Sequence, residues 1–206
     1  VNISVTVQKM VSSEKSGVMF SSHPSTGEPE VIIEAAWGLG EAVVSGSVSP
    51  DNYVVDRTQK KILSKFIAAK EIMVVKDEKT GETVTEKVPA DMREKLVLSD
   101  EEILKLAAQA EVLEKHYGIP QDIEWAFENG KMFILQSRPI TTIGNRAKAS
   151  ESKEGGKVLV TGLGASPGAA TGAVKIVTSP ESLGKITKGD IMVTVMTTPD
   201  MVPAMK

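Results

Sequence analysis

Four polar residues past the middle of the chain have the types and spacing for phosphate and metal chemistry. Asp122 and Glu124 stand one strand period apart in QDIEWAFENG, and Gln136 and Arg138 one strand period apart in KMFILQSRP. Hard divalent cations take oxygen ligands, and Mg2+ is usually held by one or two protein groups plus phosphate oxygens. A guanidinium meets a phosphate in a forked geometry that an ammonium cannot reproduce. If the four converge on one sheet face, they form a cradle for a magnesium nucleotide. Spacing alone leaves a second reading open, a solvated hairpin face with ordinary ion pairs.

The hairpin register decides whether they converge. A two-residue Asn129-Gly130 turn pairs Glu128 with Lys131 and puts Gln136 on the face of Trp125, away from Glu124. A three-residue loop, Glu128-Asn129-Gly130 with Gly130 left-handed, pairs Phe127 with Lys131 instead. Ile123, Trp125, Phe127, Phe133 and Leu135 then share one apolar face, opposite Asp122, Glu124, Gln136 and Arg138. This second register is the prediction.

Other elements must hold that hairpin in place. VNISVTVQ at residues 1–8 alternates like a half-buried strand, SGVMFSSHPSTG reads as a strand running into a turn, and EVIIEAA at residues 30–36 as a buried strand. The last ends in the loop Gly38-Leu39-Gly40-Glu41, which fits neither the dinucleotide nor the Walker pattern and reads as a tight structural loop before a phosphate contact. Glu34 and Glu41 could line a cleft, or be solvated. A corner at Ser49–Asn52 precedes a strand at Tyr53–Val55, and a polar β-leaning stretch follows, with a turn at Glu78-Lys79-Thr80-Gly81. Ser99 and Glu102 form a capping box opening a helix over about 100–117, whose apolar face is Ile103, Leu106, Ala107, Ala110, Leu113 and Tyr117; Gly118 and Pro120 stop it.

Residues 144–156, GNRAKASESKEGG, read as a flexible linker. After it, Val158–Val160, Ala173–Val177 and Ile191–Val195 are three short apolar runs between glycine-rich turns, the start of a second, β-rich unit. The predicted class is therefore α+β, with a boundary at 143 and a second unit from 157 to 206. Both ends read as cut from something larger.

Composition removes whole classes of function. The 206 residues are 41% hydrophobic and 25% charged, ordinary for a globular chain. Aromatics are only 4% and the net charge is −3, which disfavours base stacking and phosphate neutralisation, so no nucleic-acid partner is expected. No Cys is present, which excludes disulfides, thiolate nucleophiles and cysteine zinc sites and fits a reducing compartment. No apolar run approaches the ~18 residues of a membrane span, so no membrane role is expected and the chain reads as cytoplasmic.

Five stretches carry a resemblance: VQKMV, SGVMFSSHPSTGE, EAAWGLGEAVVSGSVSPDNYVV, DIEWAFENGKMFILQSRPIT and GLGASPGAATGAVKIV. Together, in this order, they resemble the phosphoenolpyruvate synthase (pyruvate, water dikinase) family, whose relatives are pyruvate phosphate dikinase and the rifampicin phosphotransferases. The resemblance implies the C-terminal lobe of an ATP-grasp domain over 1–143, an antiparallel sheet with helices, followed by the first part of a swivelling phosphohistidine domain over 157–206. It implies Mg2+ and ATP as cofactors, with pyruvate and phosphoenolpyruvate handled by domains outside this sequence. Matched by motif, Glu124 and Gln136 take the positions that hold the Mg-ATP phosphates and Arg138 the guanidinium beside them. Asp122 becomes a supporting metal ligand, and Gln8 of VQKMV meets the adenine, with a ligand-free strand-end residue as the other reading of Gln8. The family's carrier His follows a Thr-Pro-Asp segment; Thr198-Pro199-Asp200 is here, but no His follows it, and neither His23 nor His116 stands in that motif. The chain alone is expected to lack turnover. A rifampicin-type phosphotransferase and a non-catalytic nucleotide-binding module are the alternatives.

Overall fold

The computed structural model describes residues 4–24, 26–77, 79–140, 143, 159–160, 169–177, 180–194, 197 and 199–205. The chain runs through β1 (Lys15–Phe20), β2 (Glu30–Trp37), the short helix α1 (Glu41–Val44), β3 (Asp51–Asp56), β4 (Lys61–Phe66), β5 (Ile72–Lys76) and β6 (Thr83–Lys87). Then come helix α2 (Asp100–Tyr117), β7 (Gln121–Glu128), β8 (Lys131–Pro139), β9 (Val174–Val177) and β10 (Ile191–Thr194). The class is α+β.

Six strands form an antiparallel sheet in the order β4-β3-β2-β1-β7-β8. Alternate residues of four of them face α2: Met19, then Val31, Ile33 and Ala35, then Tyr53 and Val55, then Ile123, Trp125 and Phe127. The helix answers with Ile103, Leu106, Ala107 and Ala110, and each fully buried large aliphatic side chain contributes about 1.5–3 kcal/mol. Its predicted box is present: Ser99 Oγ accepts from the Glu102 amide at 3.3 Å, and Glu102 accepts from the Ser99 amide at 2.9 Å. Gly118 ends it at φ 71°. Tyr117, expected on the apolar face, is 55% exposed in the last turn of the helix.

The opposite sheet face is covered over part of its width. There α1 and the two-stranded β5–β6 sheet bury Ala36, Leu39, Ala42, Val43, Val48 and Val74 together. The Leu39 amide donates to the Val74 carbonyl at 2.7 Å, and a Cβ on Gly38 would lie 2.2 Å from that same oxygen. With φ at +82° as well, Gly38 is required by both backbone angle and contact, in keeping with a structural loop. α1 was not foreseen; four residues carry too little periodicity to be read.

Asp51 and Lys70 are both fully buried and paired at 2.5 Å. Asp51 also accepts from Ala68 N at 3.0 Å, Val97 N at 2.9 Å and Tyr53 Oη at 2.9 Å, so every charge in the cluster is answered. Burial, first, pushes the Tyr53 hydroxyl well above the ordinary phenol range.

Two expectations are corrected. Residues 4–8 of VNISVTVQ form no strand, and Val5 and Val7 are 80% and 92% exposed. Alternation marks a side suited to burial, but a strand also needs a ladder partner, and none pairs with this segment among the described residues. The β7–β8 turn is the second case. It is the two-residue Asn129-Gly130 turn, at φ 52° and 71°, with Glu128 opposite Lys131 and Trp125 opposite Ile134. Asn-Gly tolerates the two positive φ angles this turn demands. The apolar face therefore holds Met132 and Ile134 against the core, in place of Phe133 and Leu135.

Residues 144–156 and the Gly162–Gly168 turn lie outside the described residues. In the second unit, β9 and β10 pair in parallel, joined through a 3-10 turn at Pro180–Lys185; Val158 lies outside the described residues, and Leu159 and Val160 form no strand. No described helix is long and apolar enough to cross a membrane.

Candidate functional site

Between Trp125 and Glu124 the β7–β8 register shifts by one residue, and Leu135 is the extra residue of that bulge. Beyond it Glu124 pairs with Gln136 and Asp122 with Arg138. The three-residue loop is not what forms at the turn, yet Glu124 and Gln136 do share one face of the sheet, as expected. Gln136 Nε2 donates to Glu124 Oε1 at 3.2 Å, and Gly130 has positive φ. Arg138 Nε donates to Asp122 Oδ2 at 2.9 Å, with Nη2 at 2.8 Å from the same oxygen.

These pairs continue across the sheet. Through Val18 of β1, Glu124 lies in one row with Glu34 of β2 and Asn52 of β3; through Phe20, Asp122 lies in the next row with Ile32 and Val54. Because side chains alternate faces, all of these point away from α2. Glu34, Asp122, Glu124 and Arg138 line a cavity of about 210 Å³ with Val18, Phe20, Val43 and Val44. Three carboxylates face one guanidinium there, and the Arg138 side chain is 66% exposed, free to turn from Asp122 toward an anion. No group among the described residues donates a hydrogen bond to the Glu34 carboxylate. Burial, first, and the charge of Asp122, second, hold its carboxyl above the ordinary range.

A second cavity of about 410 Å³ shares Val44 and Glu124 with the first. Gln8, Met10, Leu39, Gly40, Glu41 and Leu135 are among its walls. The two form one groove, apolar at the Met10 and Leu135 end and charged at the Arg138 end. Gln8, chosen from a segment far from the hairpin in sequence, thus stands in the same groove as Glu124. Glu41 also lines it, through the apolar end, and Glu34 the charged end.

Sequence reasoning missed Leu135 and Val44. A bulge leaves no mark in composition, and Val44 belongs to the helix that was not foreseen. Among the described residues no three acidic or histidine side chains converge on a metal position. Glu124 faces the Gln136 amide and Asp122 lies one strand period away on the same sheet face; carboxylate and amide oxygens are the ligand types that Mg2+ takes together with phosphate oxygens. His116 sits near the C-terminal end of α2, edge-on to Tyr117 with ring centroids 4.9 Å apart, and His23 in the β1–β2 connection, neither in this groove.

Residues 1–157 match the family model described as pyruvate phosphate dikinase, AMP/ATP-binding domain. The chain is 56% identical to a probable phosphoenolpyruvate synthase of Archaeoglobus fulgidus, over all of this chain and 28% of that protein. It is 56% identical to one of Methanocaldococcus jannaschii, over all of this chain and 18% of the relative. It is also 50% identical to the phosphoenolpyruvate synthase of Pyrococcus furiosus, over all of this chain and 26% of the relative. The chain spans about a quarter of the length of such relatives. On a match over three quarters of its residues, it belongs to the pyruvate phosphate dikinase AMP/ATP-binding domain family.

Proposed function

We propose that this chain is the nucleotide-binding part of a dikinase of the phosphoenolpyruvate synthase kind, which converts ATP, pyruvate and water to phosphoenolpyruvate, AMP and phosphate through a phosphohistidine. Residues 1–143 act as the C-terminal lobe of an ATP-grasp domain, 144–156 as a linker and 157–206 as the first part of the swivelling phosphohistidine domain. The observation that carries this is the groove itself. Its apolar end suits a purine, and its charged end suits phosphates and a divalent cation.

In this reading Gln8 hydrogen-bonds the edge of the adenine while Met10, Leu39 and Leu135 pack on its faces. Glu124, Asp122 and the Gln136 amide oxygen would hold Mg2+, which would supply charge neutralisation for the phosphates. Arg138 leaves Asp122 and forks onto a phosphate. The chain's share of catalysis is then positioning and fixed charge, with no covalent step on any of these residues. The carrier His belongs to sequence beyond the Thr198-Pro199-Asp200 segment, and pyruvate to a further domain. The cytoplasm is the proposed compartment.

The test is Glu124→Gln in the dikinase carrying this chain. Isotope exchange in the ATP half-reaction should fall on the order of 10²-fold, while exchange between pyruvate and phosphoenolpyruvate is preserved, because the phosphorylated carrier meets pyruvate elsewhere. Equal damage to both exchanges, or to neither, refutes the assignment.

A further inference from the structure

Gln136 and Arg138 lie on β8, an edge strand of the sheet, just beyond a break in its ladder. The break is the bulge at Leu135; past Pro139 the pairing continues, with the Ile140 amide donating to the Pro120 carbonyl at 2.8 Å. Among the described residues the backbone holds this three-residue stretch from one side only, although it carries half of the charged end of the groove.

The face turned away from the groove supplies a second grip. Ser137 points to the α2 side, opposite Ile123, and its Oγ donates to Gln121 Oε1 at 2.9 Å. Gln121 is 1% exposed and is itself held: its Nε2 donates to the Ile119 carbonyl at 2.9 Å, and its backbone N donates to Ser21 Oγ at 2.7 Å. Ser21 Oγ in turn donates to Glu114 Oε2 at 2.5 Å, and Glu114 is paired with Arg57 at 2.8 Å. The chain of contacts runs from the end of α2, through buried polar groups, to the one residue between Gln136 and Arg138. A serine needed only to fill space would be replaceable by alanine.

We propose that Ser137 is a positioning residue: its hydroxyl, held by the buried Gln121 amide, keeps Gln136 and Arg138 turned into the groove. The effect on ligand rests on the nucleotide reading above; the effect on Arg138 does not.

The experiment uses the full 206-residue chain, wild type and with Ser137→Ala, Ser137→Thr and Ser137→Cys. Three quantities are measured: the hydrogen-exchange rate of the Arg138 Nε–H by NMR, the affinity for Mg-ATP by calorimetry, and the melting temperature. Arg138 Nε–H is protected through its bond to Asp122. Ser137→Ala should speed that exchange about tenfold and weaken Mg-ATP by a similar factor, the scale of one net hydrogen bond. Ser137→Thr keeps the hydroxyl and should restore both. Should the alanine variant fail to fold, Ser137→Cys, nearly isosteric with a weak donor, should show the same acceleration. Faster exchange with no measurable ATP binding in any chain, wild type included, supports the positioning role, because the exchange readout does not depend on ligand. Unchanged exchange in the alanine and cysteine variants, or no rescue by threonine, overturns the proposal.

Discussion

Glu124 and Gln136 face each other across β7 and β8 at 3.2 Å, immediately beyond the point where the two strands slip by one residue. Continuing the turn's own register would set Glu124 opposite Leu135. The bulge inserts Leu135 into the groove wall and passes the pairing on to Gln136, as bulges beside functional sites commonly re-aim a side chain.

Deleting Leu135 therefore has an unusual expected outcome. The turn register would then carry Gln136 straight to Glu124 and Arg138 to Asp122, so the chain should fold. What is lost is one apolar wall. Mg-ATP affinity should weaken by about tenfold, since a large aliphatic side chain covered by ligand is worth at least ~1.4 kcal/mol. Calorimetry on the deletion, beside Leu135→Ala as a milder change, reads it. Unchanged affinity in both would mean that no base packs there.

Glu34 gives the groove a pH signature. Its carboxyl is held above the ordinary value of 4.5, first by burial and then by Asp122. The folded state keeps a proton that the unfolded chain releases, so stability falls as pH rises from the ordinary value through the raised one. Glu34→Gln removes that loss. Melting curves should coincide with wild type near about pH 4 and lie higher for the variant at neutral pH. A lower melting temperature for the variant at neutral pH would contradict this.

Glu114 should behave in the opposite sense. Burial alone would raise its carboxyl, but the Ser21 hydroxyl, Arg57 and the Ser22 hydroxyl bring it below the ordinary range. The stability it contributes is present above the ordinary carboxylate pKa and is lost as pH falls through the depressed one. Glu114→Gln should destabilise at neutral pH and approach wild type in acid, measured by urea midpoints across pH. A penalty independent of pH would point to packing alone.

The buried pair Lys70 and Asp51 tests the other half of the fold. Lys70→Met leaves a fully desolvated carboxylate without its cation and should cost about 3–5 kcal/mol in denaturant unfolding. Adding Asp51→Leu should recover little, because Asp51 also holds the Ala68 and Val97 amides and the Tyr53 hydroxyl. Full recovery in the double variant would reduce the cluster to a simple ion pair.

Local codes were legible and non-local ones were not. The capping box at Ser99 and Glu102, the stop at Gly118 and the buried run at residues 30–36 are written in neighbouring residues, and each is where it was expected. The β7–β8 turn was misread because one constraint, the facing of Glu124 and Gln136, was correct while the device that meets it was not visible. A loop of three residues and a turn of two plus a bulge both add one residue to the hairpin. Both put Glu124 and Gln136 on one face; they differ in which β8 residues reach the core and in the partner of Gln136, Asp122 in the first and Glu124 in the second. The strand expected over residues 1–8 failed for a related reason, since alternation says nothing about a partner. Glu34 was noticed for its charge within an apolar run, but its row with Val18 and Glu124 depends on pairings across the sheet.

The central position of β1 sets an order of assembly. It pairs early in sequence with β2, which brings Glu34 and Val18 together through a short connection, but its other edge waits for β7, with Ser21 and Gln121 separated by 100 residues. Long-range closures of this kind are slow and come late in folding, and during synthesis the C-terminal partner emerges last. The groove's β2 wall thus stands before its β8 wall, and until β7 has left the ribosome the exposed edge of β1 is an open template for wrong partners.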